Sequence, residues 1–217
     1  MKVFGTDYDG VIINIEPQKA LAFGELLNRE WQINKREASN FWMGSGGTSR
    51  RSKFDYFYEK QFHKELIDEE YRSIADKFKN NLFKDFYPSV RLLDGALELL
   101  KFCKNNFDHR FISSGMPMQE IKDLVTMNGV SNYFEKIFGT DVIYKSKEEH
   151  FAEINNFWKP SEIIFVADAE EDMRVAKKFD AFAIGLTTNI DGERLLSAGA
   201  NEIADNLHTV LEIIRKV

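Results

Sequence analysis

Short apolar runs alternate with helical periodicities along most of the chain. Residues 3–6, 110–113, 162–167 and 181–185 are brief apolar stretches of the kind that form strands buried on both faces. Between and after them, apolar positions recur at helical spacing over about 93–105, 117–129, 147–157, 170–179 and 206–216. Strand alternating with helix predicts an α/β fold, a Rossmann-like, doubly wound parallel sheet with right-handed crossovers.

Residues 16–88 break this rhythm. Four amphipathic patterns, near 17–31, 35–43, 52–64 and 68–83, follow one another with no strand among them. They predict an all-helical domain inserted after the first strand, with a core domain formed by 1–15 and 89–217. Twelve aromatic residues lie between Phe41 and Tyr87, enough to fill the interior of a small bundle.

The chain has 217 residues, enough for a core that needs neither disulfides nor zinc. With 29 Lys and Arg against 35 Asp and Glu, its net charge is −6, which argues against coating a nucleic acid or a membrane surface. The single cysteine, Cys103, cannot form an intrachain disulfide and falls on a helical pattern, as a small core residue. His63, His109, His150 and His208 are scattered without zinc spacing. Asp7 and Asp9 interrupt the first apolar stretch before a secretory core develops, and no run reaches membrane-spanning length. These features predict a soluble, cytoplasmic protein.

Four segments carry chemistry. Asp7-Tyr8-Asp9-Gly10-Val11 follows the first strand; Asp7 and Asp9, two apart, project together where open α/β sheets bind ligands. Two carboxylates forced together repel, and a divalent cation with a preference for hard oxygen ligands, Mg²⁺, relieves that. Asp168 and Asp172 follow the strand at 162–167 with the spacing of one helical face, although a helix N-terminus rich in acid explains them equally well. Ser113-Ser114-Gly115 closes another strand with hydroxyls and a flexible residue before a helix, a phosphate cradle or an ordinary capped turn. Lys145 and Lys147 precede the helix near 148.

Taken in chain order, the four resemble the motifs of the haloacid dehalogenase superfamily of phosphohydrolases. The first, Asp-x-Asp-Gly-Val, is similar to Asp7–Val11. The second, a Ser or Thr ending a strand, is met by Ser113. The third, a Lys opening a helix about twenty residues before the fourth, fits Lys147 better than Lys145. The fourth, Gly-Asp-x-x-x-Asp, is met by Asp168 and Asp172 with Ala167 in place of the glycine. The helical insertion resembles the superfamily's cap, and the resemblance covers essentially the whole chain.

The resemblance implies a Mg²⁺-dependent phosphatase. Asp7 would be the nucleophile that forms an aspartyl-phosphate. Asp9 would be the general acid and then the base. Asp7, the carbonyl of Asp9, and Asp168 would hold the metal, with Asp172 nearby. Ser113 and Lys147 would hold phosphoryl oxygens, with Ser114 and Gly115 assisting. If all are ionised, Asp7, Asp9, Asp168 and Asp172 contribute −4; Lys147 and the cation contribute +3, leaving −1, whereas the metal-free cluster at −3 repels a phosphate dianion. The glycine-rich stretch from Met43 to Arg51 lacks a P-loop ending; its Arg50 and Arg51 are candidates for binding an anionic part of the substrate or are simply a solvated helix start.

The expected partner is a small phosphorylated metabolite, with the chain a monomer or homodimer. A phosphomutase similar to β-phosphoglucomutase is the alternative activity; a non-catalytic phosphate-binding module is a weaker one. Asp9 argues against a dehalogenase proper, which lacks that residue. The insertion's lysines do not identify the Schiff-base residue of a phosphonoacetaldehyde hydrolase.

Overall fold

A computed structural model describes residues 1–45, 48–140 and 146–217. The chain divides into two compact units, Met1–Asn14 with Arg91–Val217, and Ile15–Val90.

The first unit opens with β1 (Lys2–Thr6). The second unit then follows as four helices, α1 (Glu16–Trp31), α2 (Lys35–Gly44), α3 (Arg50–Phe62) and α4 (Asp68–Asn81). The chain returns to the first unit through α5 (Ala96–Asn106), β2 (His109–Pro117), α6 (Met118–Met127), β3 (Lys136–Thr140), α7 (Lys147–Trp158), β4 (Glu162–Ala167), α8 (Glu170–Lys178), β5 (Phe182–Leu186), α9 (Gly192–Ala198), β6 (Glu202–Ala204) and α10 (Leu207–Ile214). The strands form one parallel sheet in the order β3-β2-β1-β4-β5-β6. The α/β fold is therefore as expected. Two of its six strands, β3 and β6, and one short helix, α9, go beyond the elements predicted.

Strand alternation divides the core between the two faces of the sheet. On one face, Val3, Phe111, Phe138, Phe165 and Ala167 pack with Phe151 and Ile154 of α7 and Met173 and Ala176 of α8. On the other, Phe4 meets Phe107 with ring centres 5.7 Å apart. Gly5, central in β1, lies under two rings: a Cβ there would come within 2.3 Å of Phe111 and 2.8 Å of Phe165. Cys103 is buried in α5, consistent with a packing role.

The helical unit is built on aromatics. Phe23 is central, 5.0 Å from both Trp42 and Phe54, 5.9 Å from Phe57 and 6.1 Å from Phe78 between ring centres. Phe23, Phe54, Phe57 and Phe78 are fully buried, so the interior reading of these rings holds. Among the described residues, no helix is long and apolar enough to cross a membrane.

The space above Gly5 is already filled by the two phenylalanines. Gly5→Ala is expected to overpack the sheet and cost about 1–3 kcal/mol, read as a lowered urea midpoint at unchanged slope; a midpoint equal to the wild type would contradict this packing.

Candidate functional site

The order of the sheet fixes where a site can form. β2 and β3 lie to one side of β1, and β4, β5 and β6 to the other, so the chain reverses direction of winding between β1 and β4. In register, Thr6 lies beside Val166, and the Asp7 amide donates to the Val166 carbonyl at 2.9 Å. Asp7 and Asp168 therefore leave adjacent strands at nearly the same level. Gly10 then turns the chain with φ +81°, and a Cβ there would stand 2.0 Å from an Asp168 carboxylate oxygen. Only glycine meets both demands.

Three carboxylates converge. Asp7, Asp168 and Asp172 are buried, and one oxygen from each lies within 4.8 Å of the others. Lys147, the first residue of α7, closes the group: its Nζ donates to Asp7 Oδ2 at 2.6 Å and to Asp172 Oδ2 at 2.7 Å, with Asp172 Oδ1 at 2.6 Å. Ser146 caps this helix by accepting the Glu149 amide, which sets the turn that aims Lys147. The other Asp7 oxygen accepts the Tyr8 amide at 2.6 Å.

The acidic start of α8 is not a capping device. Its N-cap is Ala169, with no side-chain cap. Glu170 and Glu171 instead pair outward with Arg174, and Glu170 also with Arg194. Asp172 turns inward, and Asp168 accepts from Asn189 Nδ2 at 2.7 Å.

Burial and the charge of Asp7 push the Asp168 carboxyl well above the usual carboxylate range, although the Asn189 bond opposes this. Burial raises Asp172 to about 7 even with Lys147 against it. Burial also disfavours the Lys147 ammonium, but Asp172 and Asp7 outweigh it and hold the proton far more tightly than on a free lysine. A cluster of hard oxygens that retains protons in this way fits a divalent cation of the Mg²⁺ type, which would displace them.

The remaining site residues are placed as follows. Asp9 is buried and its main chain bridges to Ile13, but its carboxylate is not among the converging three. Ser113 lies within β2, which continues past it to Pro117. Its side chain turns to the α7 face of the sheet, fully buried, with Oγ 2.9 Å from His150 Nδ1. The Ser114 hydroxyl accepts the Met116 amide at 3.2 Å, and Gly115 beside it is exposed. Arg51 belongs to the framework of the helical unit: it pairs with Asp55 and Asp68, donates to the Leu66 carbonyl and stacks over Tyr71. Arg50 lies over the Phe78 ring. Gly46, Gly47 and Lys145 lie outside the described residues.

Two residues of the site escaped the sequence reading. Asn189 follows β5 by three positions, and the rule that ligands gather at strand ends points to it. His150 lies one turn after Lys147 beside apolar Phe151, a buried helical position. Its Nδ1 meets Ser113 and its Nε2 the Gly139 carbonyl at 3.3 Å, so it ties α7 to β2 and β3. Burial and the charge of Lys147 push its imidazole down to about 4.

The fold and the carboxylate cluster define an α/β protein with a cation-competent site at the switch point of its sheet. The chain belongs to the haloacid dehalogenase-like hydrolase family, whose model matches residues 6–186 and so spans all four motifs. A phosphoglycolate phosphatase of Haemophilus influenzae (strain 86-028NP) is 22% identical over 193 residues, 86% of this chain and 85% of that protein. One from Vibrio vulnificus (strain YJ016) is 24% identical over 159 residues, 70% of this chain and 64% of that protein. The crystal structure of a predicted phosphoglycolate phosphatase from Haemophilus somnus 129pt superposes with a TM-score of 0.83 at 21% identity, over 99% of this chain and 98% of the other. A candidate β-phosphoglucomutase from Thermotoga maritima gives 0.76 at 18% identity over the whole of both chains. At these identities the solved structures establish the shared fold.

Two outcomes follow from the electrostatics. The fold refuses a proton at His150 that the unfolded chain accepts below about pH 6.5, so the stability held at neutral pH falls as the pH drops toward 4. In EDTA, the wild type is expected to lose about 2 kcal/mol relative to His150→Gln between pH 6.5 and pH 5, by urea unfolding; parallel pH profiles would refute a neutral His150. At a hundred times its Kd, Mg²⁺ should stabilise the wild type by about 2.7 kcal/mol. Asp168→Asn should abolish that gain without lowering stability in EDTA; an undiminished response would remove Asp168 from the metal site.

Proposed function

We propose that this chain is a Mg²⁺-dependent phosphatase that hydrolyses a small organic phosphate monoester through an aspartyl-phosphate intermediate. The observation that carries the reading is the meeting of Asp7 with two more buried carboxylates and the Lys147 ammonium at one switch point. Membership of the hydrolase family and the phosphoglycolate phosphatase relatives support it.

Asp7, the main-chain carbonyl of Asp9 and Asp168 would hold Mg²⁺, with Asp172 directly or through water. Bound there, the ion offsets carboxylate repulsion and neutralises charge on the phosphoryl group. The carboxylate oxygen of Asp7 attacks phosphorus; the new O–P bond forms as the ester P–O bond breaks, and Asp9 gives its proton to the leaving oxygen. Asp9 then takes a proton from water as the water oxygen attacks the same phosphorus. The bond to Asp7 breaks, and inorganic phosphate leaves with both carboxyl groups restored.

Lys147 holds Asp7 in place and meets the phosphoryl oxygens as they arrive. Ser113 would hold phosphoryl oxygens beside it, assisted by the Ser114 and Gly115 amides. The protein acts in the cytoplasm, as a monomer or homodimer, on a small phosphorylated metabolite rather than on a nucleic acid or a membrane.

The test is phosphate release from a panel of monoesters, phosphoglycolate among them, in Mg²⁺ and in EDTA. Release is expected in Mg²⁺ alone. Ser113→Ala should lower kcat/KM by about 100-fold, the scale for one lost anion-holding donor. No release from any monoester by folded protein in Mg²⁺ would overturn the reading, and phosphoryl transfer to a second sugar hydroxyl instead would establish a mutase.

A further inference from the structure

The contact between Ser113 and His150 has a direction. Both side chains are fully buried, and the imidazole is fixed on two sides. Its ring lies against Phe138, with centres 5.2 Å apart and planes at 18°, and its Nε2 stands 3.3 Å from the Gly139 carbonyl. A carbonyl oxygen only accepts, so Nε2 carries the hydrogen of that bond. Burial and the charge of Lys147 push the imidazole down to about 4, which leaves it neutral at ordinary pH. A neutral imidazole has one N–H, so Nδ1 keeps its lone pair and accepts. The 2.9 Å hydrogen bond between Ser113 Oγ and Nδ1 therefore uses the serine's own proton.

That proton is the one a phosphoryl oxygen needs. Ile112 pairs with Thr6 in the sheet, so Ser113 stands at the level of Asp7. A hydroxyl has one hydrogen and two lone pairs; with the hydrogen on Nδ1, Oγ offers an anion only lone pairs. To donate, the hydroxyl must turn away from His150. The buried Nδ1 then loses its donor, and an unsatisfied buried acceptor costs at least as much as the hydrogen bond was worth.

We infer that His150 is a positioning residue that holds the Ser113 hydroxyl in a non-donating orientation until a phosphoryl group turns it. That role rests on the phosphatase reading, in which Ser113 holds phosphoryl oxygens. It acts as a brake on anion binding. Each phosphate that binds must break the bond between Ser113 and His150, and each phosphate that leaves allows it to re-form, which favours release of the product.

Phosphate binding tests the brake without turnover. The full-length wild type, His150→Phe, His150→Asn, Ser113→Ala and the double variant Ser113→Ala with His150→Phe are titrated calorimetrically with inorganic phosphate in Mg²⁺, at about pH 7.5, where His150 is neutral. His150→Phe keeps a ring against Phe138 and removes the acceptor. It should bind phosphate about fivefold more tightly than the wild type, the worth of one neutral hydrogen bond. His150→Asn returns an acceptor to the place of Nδ1 and should bind within about twofold of the wild type. Ser113→Ala should bind more weakly, and adding His150→Phe to it should give no tightening, because the coupling runs through the hydroxyl. A purely structural His150 predicts equal or weaker binding in His150→Phe, with or without Ser113. NMR of wild type labelled in its histidine nitrogens gives a readout that needs no ligand: the signals missing from His150→Phe should be those of a neutral ring protonated at Nε2. Binding by His150→Phe no tighter than by the wild type, tightening that persists without Ser113, a ring protonated at Nδ1, or no saturable phosphate binding by the wild type would each overturn the brake. The expected binding pattern in a protein that hydrolyses no ester would overturn the phosphatase reading and leave the brake in place.

Discussion

The contact on which the rest depends is the Lys147 ammonium held between Asp7 and Asp172, at 2.6 and 2.7 Å. Three buried carboxylates within 4.8 Å cannot all be charged without a counter-charge, and the lysine is the only one among the described residues that contacts two of them. Much of the surrounding structure serves to bring it there. Parallel pairing of β1 with β4 sets Asp7 beside Asp168. Ser146 starts α7 at the residue that must reach them. His150 ties that helix to β2 and β3 one turn later, and Gly10 leaves room for Asp168.

Asp7 and Asp168 were legible because each follows a short apolar strand, and strand ends are where a parallel sheet exposes chemistry. Lys147 was legible as a lysine at a helix start about twenty residues before Asp168, and these three meet Asp172 in the structure. The competing explanation of Asp168 and Asp172, a helix cap, loses because Ala169 holds the cap position and the outward acids pair with arginines. The contact of Ser113 with His150 was not legible, because the two are brought together only when α7 packs on β2. The pairing of Arg51 with Asp68, seventeen residues away, is not visible in a linear reading.

The missing elements have physical causes. β3 reads Lys-Ile-Phe-Gly-Thr, nearly the same as β1, Lys-Val-Phe-Gly-Thr, and is as strand-like; the repeat was the available signal. β6 has three residues at the sheet edge, too short for a period to show. His150 and Lys53 belong to one class: polar side chains on apolar helical stripes. Pattern alone files them with the core, whereas their partners show opposite solutions. His150 is neutral and hydrogen-bonded to Ser113 and Gly139. Lys53 lies over the Trp42 ring.

The central claim is that Asp7 becomes covalently bonded to phosphorus. The most direct measurement is rapid acid quench of the enzyme during turnover of its best monoester in Mg²⁺, followed by peptide mass analysis. The account predicts one added phosphoryl group on the peptide containing Asp7, absent from Asp7→Asn and lost on treatment with hydroxylamine. Turnover with the phosphoryl group on another residue, or undiminished turnover by Asp7→Asn, would contradict it.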